Sequence, residues 1–304
     1  MNQAQCLLVS DGRRGIENQA LGLGEALADR VNLQLTTLKL SDQNTPPPPD
    51  IAPQFWIGCG RAAVNAAPAH KRALPNTRFI YVQDPRANYD LFDLIVAPRH
   101  DRLQRDNVFQ TLGSPNRITA KTLSTDAAQF AERLKRLNAP RVAVLIGGQS
   151  KRHSVSPERE AYILNCLDRL LALGASLMIT DSRRTANSLR NQLRERFANH
   201  SSVWLHADNE PNPYFAFLNA ADWICVTEDS TNMLTEAAST GKPVYRLGMD
   251  GKPGKFRELY AALQGGGMVR PFLGQLDHWT YTPLHETARA ADHILEIFSG
   301  KTEL

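Results

Sequence analysis

The stretch Val142-Ala-Val-Leu-Ile-Gly-Gly-Gln-Ser-Lys-Arg-His153 decides the fold. A short apolar run rich in Val breaks into paired glycines and then into three basic side chains. Such a run reads as a buried strand, and Gly147 and Gly148 let the chain turn sharply and bring backbone N–H groups to the surface. Gly-rich turns after strands suit anions, above all where a helix N-terminus follows. This one lies near the middle of the chain. A second loop of similar character, Val9-Ser-Asp-Gly-Arg-Arg-Gly-Ile-Glu-Asn-Gln19, follows the first apolar run. Two such loops, each opening a strand–helix series, predict an α/β protein of two Rossmann-like domains facing across a cleft.

The bulk properties agree. At 304 residues the chain exceeds the size at which one core stops growing, so two domains are expected. Its 42% hydrophobic and 22% charged residues are those of an ordinary globular protein. No run of about 18 apolar residues predicts a membrane-spanning helix. Met1 to Cys6 lack the charged start and apolar stretch of a signal peptide. Cys6, Cys59, Cys166 and Cys225 show no metal-ligand spacing and read as buried thiols in a reducing cytoplasm. The net charge of +4 permits contact with acidic headgroups or phosphates without demanding it. The basic residues are dispersed with no interleaved aromatics, so no nucleic-acid partner is expected.

Outward from the central stretch the elements alternate. Strands are expected at 5–10, 33–40, 55–57, 78–82 and 93–97 in the first half, with helices at 16–29 and 61–67. The second half offers strands at 141–146, 176–180, 203–205, 221–226 and 243–246, with helices at 157–173, 185–197 and 231–239. Pro46 to Pro49 must be an extended connection. The aromatic residues Trp204, Tyr214, Phe215 and Phe217 read as core or interface. Pro140 marks the boundary, so the expected division is 1–138, 139–284 and a final helix within 285–304 that packs back on the first domain. Alternation of this kind predicts parallel sheets covered by helices.

In parallel sheets ligands collect beyond the carboxyl ends of the strands. Those ends carry Asp11, Gly12, Gly15, Gly60, Gln83, Asp84, Arg86 and His100 in the first half. In the second they carry Gly147, Gly148, Gln149, Ser150, Lys151 and Arg152, then Ser182, Arg183 and Arg184, then Thr227, Glu228, Asp229 and Ser230. Glycines, hydroxyls and arginines there suit a phosphate-bearing ligand. A turn and a helix cap account for Asp11 and Gly12 without any function. They leave Glu17, Asn18 and Gln19, three polar residues opening an apolar helix face. A carboxylate held there suits a general base, and Asp11 and Glu17 are both candidates. Either Asp229 or Ser230 serves as an N-cap for the helix that continues through Asn232, Met233 and Glu236. Glu236, six residues beyond Ser230, is placed to accept the hydroxyls of a ribose. Arg183 and Arg184 read equally well as a solvated basic edge.

With these residues assembled, the chain resembles a known family. Ser10-Asp-Gly-Arg-Arg-Gly-Ile-Glu-Asn-Gln-Ala-Leu-Gly22 is similar to its opening motif, Asp-Gly-Lys-Pro-Gly-His-Glu-Asn-Gln. The likeness continues through Gln83-Asp-Pro85, Phe92-Asp-Leu-Ile-Val-Ala-Pro-Arg-His-Asp101, Gly147-Gly148 and Val226-Thr-Glu-Asp-Ser-Thr-Asn-Met233, and more loosely to 279–287. The family is named after a plant mitochondrial-fission (elongated mitochondria) protein, and bacterial members have also been labelled nucleoside-diphosphate-sugar epimerases. Arg14 and Ile16 depart from it where Pro and His are usual, which removes one obvious base. The resemblance implies the two-domain glycosyltransferase fold called GT-B. It implies a donor on Gly148, Ser150, Thr227, Ser230 and Glu236, and an acceptor facing Asp11 to Glu17.

The expected activity is metal-independent transfer of a sugar from a nucleoside-diphosphate donor to a cell-envelope glycan or lipid, with no cofactor beyond that substrate. No Asp-x-Asp pair is present to hold a metal-bound diphosphate. Two alternatives stay open: a non-catalytic GT-B-like scaffold for a protein or membrane partner, and a nucleoside-diphosphate-sugar epimerase. An NAD-type epimerase does not fit, because the first loop is Gly12-Arg-Arg-Gly15 and no Tyr has Lys four residues on. The expected location is the cytoplasm, with peripheral attachment to the inner face of the membrane left open.

Overall fold

The structure, a computed structural model, describes residues 3–41, 46–150 and 153–298. The chain divides into two compact units, Met1–Arg117 with His285–Leu304, and Ile118–Leu284. Each carries a parallel sheet of six strands.

Unit 1 begins β1 (Ala4–Ser10), α1 (Arg14–Ala28) and β2 (Leu33–Lys39). It continues β3 (Phe55–Cys59), α2 (Arg61–Ala73), β4 (Arg78–Val82), β5 (Leu94–Pro98) and β6 (Val108–Thr111). The sheet order is β2-β1-β3-β4-β5-β6. β3 and β5 are buried along their whole length, as continuous apolar runs between two helical layers require. One layer packs Leu23 and Leu27 of α1 on Leu8 and Ile57, and the other packs the alanines of α2 around Trp56.

Unit 2 opens with α3 (Ala120–Ala128), α4 (Ala131–Leu134), β7 (Arg141–Leu145), β8 (His153–Ser154) and α5 (Pro157–Ala172). Then come β9 (Ser176–Thr180), α6 (Asn187–Phe197), β10 (Val203–Leu205), α7 (Tyr214–Ala220) and β11 (Trp223–Thr227). It ends with α8 (Thr231–Ala238), β12 (Val244–Leu247), β13 (Asp250–Gly251), α9 (Arg257–Gly265) and β14 (Val269–Pro271). The order is β10-β9-β7-β11-β12-β14, with β8 and β13 forming a small antiparallel pair.

The segment 118–138, assigned from sequence to the first domain, packs with unit 2 instead. Its helix α3 lies on α7, and Asp126 accepts the Ala216 N–H at 3.1 Å. Phe130 packs against Trp204 with ring centroids 5.7 Å apart and planes tilted by 56°. The last helix, α10 (Glu286–Phe298), belongs to unit 1, where Ala290, Ala291 and Ile294 bury against α1. Glu286 accepts the Leu112 N–H at 2.6 Å and fixes its start.

Candidate functional site

In unit 2 the strand order reverses between β7 and β11, which is where a doubly wound sheet opens a crevice at its carboxyl edge. The two loops leaving that edge hold Gly147 to Ser150 and Glu228 to Ser230. The glycine N–H groups, expected to face phosphate, are instead engaged within the protein. Gly147 N–H donates to Thr227 Oγ1 at 2.7 Å, and Gly148 N–H donates to Asp229 Oδ2 at 2.9 Å. The Thr227 hydroxyl donates in turn to Asp229 Oδ1 at 2.8 Å. The glycines are demanded by close packing: a Cβ on Gly147 would lie 2.3 Å from the Asp229 carboxylate, and one on Gly148 would lie 2.1 Å from the Arg184 carbonyl oxygen.

The cation of this network is Arg184, not Arg183. Arg184 donates to Asp229 Oδ2 at 2.9 Å and reaches the carbonyls of Gly148 and Gln149, whereas the Arg183 side chain makes no hydrogen bond or ion pair among the described residues. Ser182 closes a turn, its backbone N–H donating to Thr185 Oγ1 at 3.0 Å and its hydroxyl accepting Arg184 N–H at 3.2 Å. Glu228 accepts from the Arg246 guanidinium and from the Met249 N–H, one on each oxygen and both at 2.7 Å. Gln149 is exposed, while the Ser150 hydroxyl accepts the His153 N–H at 3.0 Å. Lys151 and Arg152 lie outside the described residues.

Open donor capacity sits one residue later. Ser230 caps α8, its hydroxyl facing the Met233 N–H at 3.5 Å. The N–H groups of Thr231 and Asn232 make no hydrogen bond among the described residues. Asn232 and Met233 are half-buried on this first turn. Further along the same helix Glu236 is buried, and Tyr214 donates its hydroxyl to Oε2 at 2.6 Å. The other carboxylate oxygen has no partner among the described residues. Burial pushes the Glu236 carboxyl up to about 7, against the lowering effect of the Tyr214 hydroxyl. Tyr214, read from sequence as a core or interface residue, is therefore part of the site. No spacing in the sequence pairs it with Glu236.

Unit 1 gathers a second polar cluster at the carboxyl ends of β1, β3 and β4. Asp11 accepts the Arg13 N–H at 3.0 Å and its guanidinium at 2.6 Å, and Glu17 pairs with Lys39 at 2.9 Å. Gly12 takes a left-handed φ of 73°, and Gly60 one of 89°. A Cβ on Gly60 would press on Ile16 at 2.8 Å and on Asp11 at 3.1 Å. Buried Gln19 donates to the carbonyl of exposed Gly15 at 2.8 Å and accepts from Gln83 at 2.9 Å. Gln83 itself is held at φ 85°, a strained conformation for a side-chain-bearing residue. Asn18 is half-buried and makes no side-chain hydrogen bond among the described residues. Asp84 accepts the Arg86 N–H at 2.8 Å and the Tyr89 hydroxyl at 3.1 Å. His100 is buried with Nε2 3.8 Å from Asp101. Asp11 and Glu17 both reach the cluster, each already committed to a cation.

Among the described residues no three His, Cys, Asp or Glu side chains gather as a metal site, and no helix is long and apolar enough to cross a membrane. The four cysteines are buried and free.

The fold has relatives among solved structures. A UDP-GlcNAc 2-epimerase from Methanocaldococcus jannaschii matches with a TM-score of 0.64 at 10% identity, over 98% of this chain and 99% of that one. A UDP-GlcNAc 2-epimerase from Neisseria meningitidis, solved bound to UDP-GlcNAc, matches with a TM-score of 0.54 at 13% identity, over 96% and 91%. At identities this low the likeness shows the fold alone, GT-B-like with two parallel six-stranded sheets. Mitochondrial fission protein ELM1 of Arabidopsis thaliana is 30% identical over 269 residues, 80% of this chain and 63% of that protein. The chain thus spans just under two thirds of that relative's length. A family model described as "Mitochondrial fission ELM1" matches residues 14–298, and the chain belongs to that family.

Proposed function

We propose that unit 2 binds a nucleoside-diphosphate sugar at the carboxyl edge between β7 and β11, and that the chain transfers the sugar to a hydroxyl of a cell-envelope glycan or lipid. One observation carries this reading. On α8 a first turn whose Thr231 and Asn232 N–H groups have no partner among the described residues is followed by a buried carboxylate with one oxygen likewise unpartnered among them. From Thr231 to Glu236 the helix rises about 7.5 Å. That span is comparable with the separation of a nucleotide's phosphate from the hydroxyls of its own ribose. The positive end of the helix and its N–H groups favour the diphosphate, and Glu236 accepts from the ribose. The N. meningitidis epimerase bound to UDP-GlcNAc lends support, since a nucleotide sugar is what that related fold holds.

In the transfer, the acceptor oxygen forms a bond to the anomeric carbon as the bond from that carbon to the phosphate oxygen breaks. The electron pair leaves with the nucleoside diphosphate, stabilised by the helix N-terminus. The acceptor proton goes to a general base, for which Asp11 and Glu17 are the two carboxylate candidates. Isothermal titration of the wild-type protein against a panel of nucleoside diphosphates tests the binding step, and silence across the panel rejects it. Product analysis tests the chemistry. Transfer releases a free nucleoside diphosphate and enlarges the acceptor, whereas an isomerised nucleotide sugar of unchanged mass makes the protein an epimerase.

A further inference from the structure

Asp229 stands one residue before the cap of α8, yet its carboxylate turns inward and its side chain is 0% exposed. Oδ2 accepts from Gly148 N–H and from Arg184, each at 2.9 Å, and Oδ1 accepts from the Thr227 hydroxyl at 2.8 Å. These donors come from the loops that follow β7 and β9 and from the last residue of β11. The Thr185 hydroxyl closes the ring by donating to the Gly147 carbonyl. By charge alone an aspartate here opposes a phosphate-bearing ligand, because it puts a negative charge beside the start of α8. What it supplies is geometry.

We propose that Asp229 is a positioning residue, a brace that locks three strand-end loops into one rigid floor so that the first turn of α8 is presented to phosphate. It does not touch the ligand. The ligand part of this role rests on the nucleotide reading above; the brace itself does not.

The test compares Asp229→Asn and Thr227→Val with the wild-type chain, using inorganic pyrophosphate in isothermal titration. Hydrogen exchange is followed in peptides covering 146–150 and 182–186. Coulomb attraction alone makes D229N bind pyrophosphate more tightly. The positioning role makes it bind about tenfold more weakly, the scale of one lost hydrogen bond to a charged group. It also predicts faster exchange at Gly147 and Gly148 in both variants, and weaker binding in T227V, which alters no charge. Tighter or unchanged binding in D229N, or unchanged exchange in both variants, overturns the proposal. If wild-type protein ignores pyrophosphate, the nucleotide reading fails and exchange alone decides the brace. If D229N does not fold, T227V carries the same two readouts.

Discussion

Replacing Glu236 by Gln separates stability from binding, because the two respond in opposite directions. The carboxyl is buried and titrates near 7 in the folded chain against an ordinary 4.5. Between those two pH values the unfolded chain has lost this proton while the folded chain keeps it. Stability therefore falls as pH rises through this window, and the loss is complete above about 7. At 1.36 kcal/mol per pH unit the full loss is about 3 kcal/mol. Glutamine keeps the shape and an acceptor for Tyr214 but carries no charge, so E236Q escapes the loss. Above pH 8 it is expected to be the more stable protein by up to about 3 kcal/mol, and near pH 5 the two should nearly coincide. At pH 8.5, where the carboxyl is ionised, a ribose loses a charged acceptor worth about 1.5–3 kcal/mol. Nucleoside-diphosphate affinity then drops roughly tenfold to a hundredfold. Denaturant unfolding at pH 5 and 8.5, with titration calorimetry on the same samples, reads both effects. An E236Q protein that is less stable at pH 8.5 and binds as tightly as the wild type would refute both the burial argument and the ribose assignment.

Other substitutions test neighbouring contacts. Gly148→Ala places a methyl 2.1 Å from a backbone oxygen, and should cost about 3 kcal/mol in denaturant unfolding; a wild-type midpoint would show that the turn relaxes freely. Arg183→Ala should leave thermal unfolding untouched, whereas Arg184→Met strands the buried Asp229 carboxylate. The second cost is about 1–2 kcal/mol, reduced because the Arg184 side chain is 42% exposed; equal effects from the two arginines would contradict the assignment. In unit 1, Trp56 donates Nε1–H to His70 Nδ1 at 3.0 Å, and His70 Nε2 then donates to the Pro46 carbonyl at 3.0 Å. Trp56→Phe leaves the His70 acceptor unsatisfied and opens a void, at about 2 kcal/mol or more. A smaller loss would mean that the ring is held by packing alone.

Much of this fold is written in continuous apolar runs. Val142 to Ile146 and Leu94 to Ala97 announce buried parallel strands, because a strand covered on both faces has no polar side to show. Two of the strands left unread, Val108–Thr111 and Val269–Pro271, are edges of the six-stranded sheets. With one neighbour each and partly exposed side chains, such as Gln110 and Arg270, they leave no apolar signature. The boundary at 117 was hidden because α3 finds its partner, α7, some ninety residues later. The glycine pair was legible as a sharp turn, but the destination of its N–H groups was not, since Thr227 and Asp229 lie eighty residues away. Two adjacent arginines look alike in sequence, and only the folded turn decides that Arg184 bends inward. Glu236 was legible from its helical spacing, whereas its partner Tyr214 arrives from a separate helix.

A crystal structure with a bound nucleoside diphosphate tests the central claim most directly. The diphosphate is predicted within hydrogen-bond reach of the Thr231 and Asn232 N–H groups, with a ribose hydroxyl on the free oxygen of Glu236. A nucleotide lodged anywhere else on the molecule, or a Glu236 still bonded only to Tyr214 beside an occupied site, would contradict it.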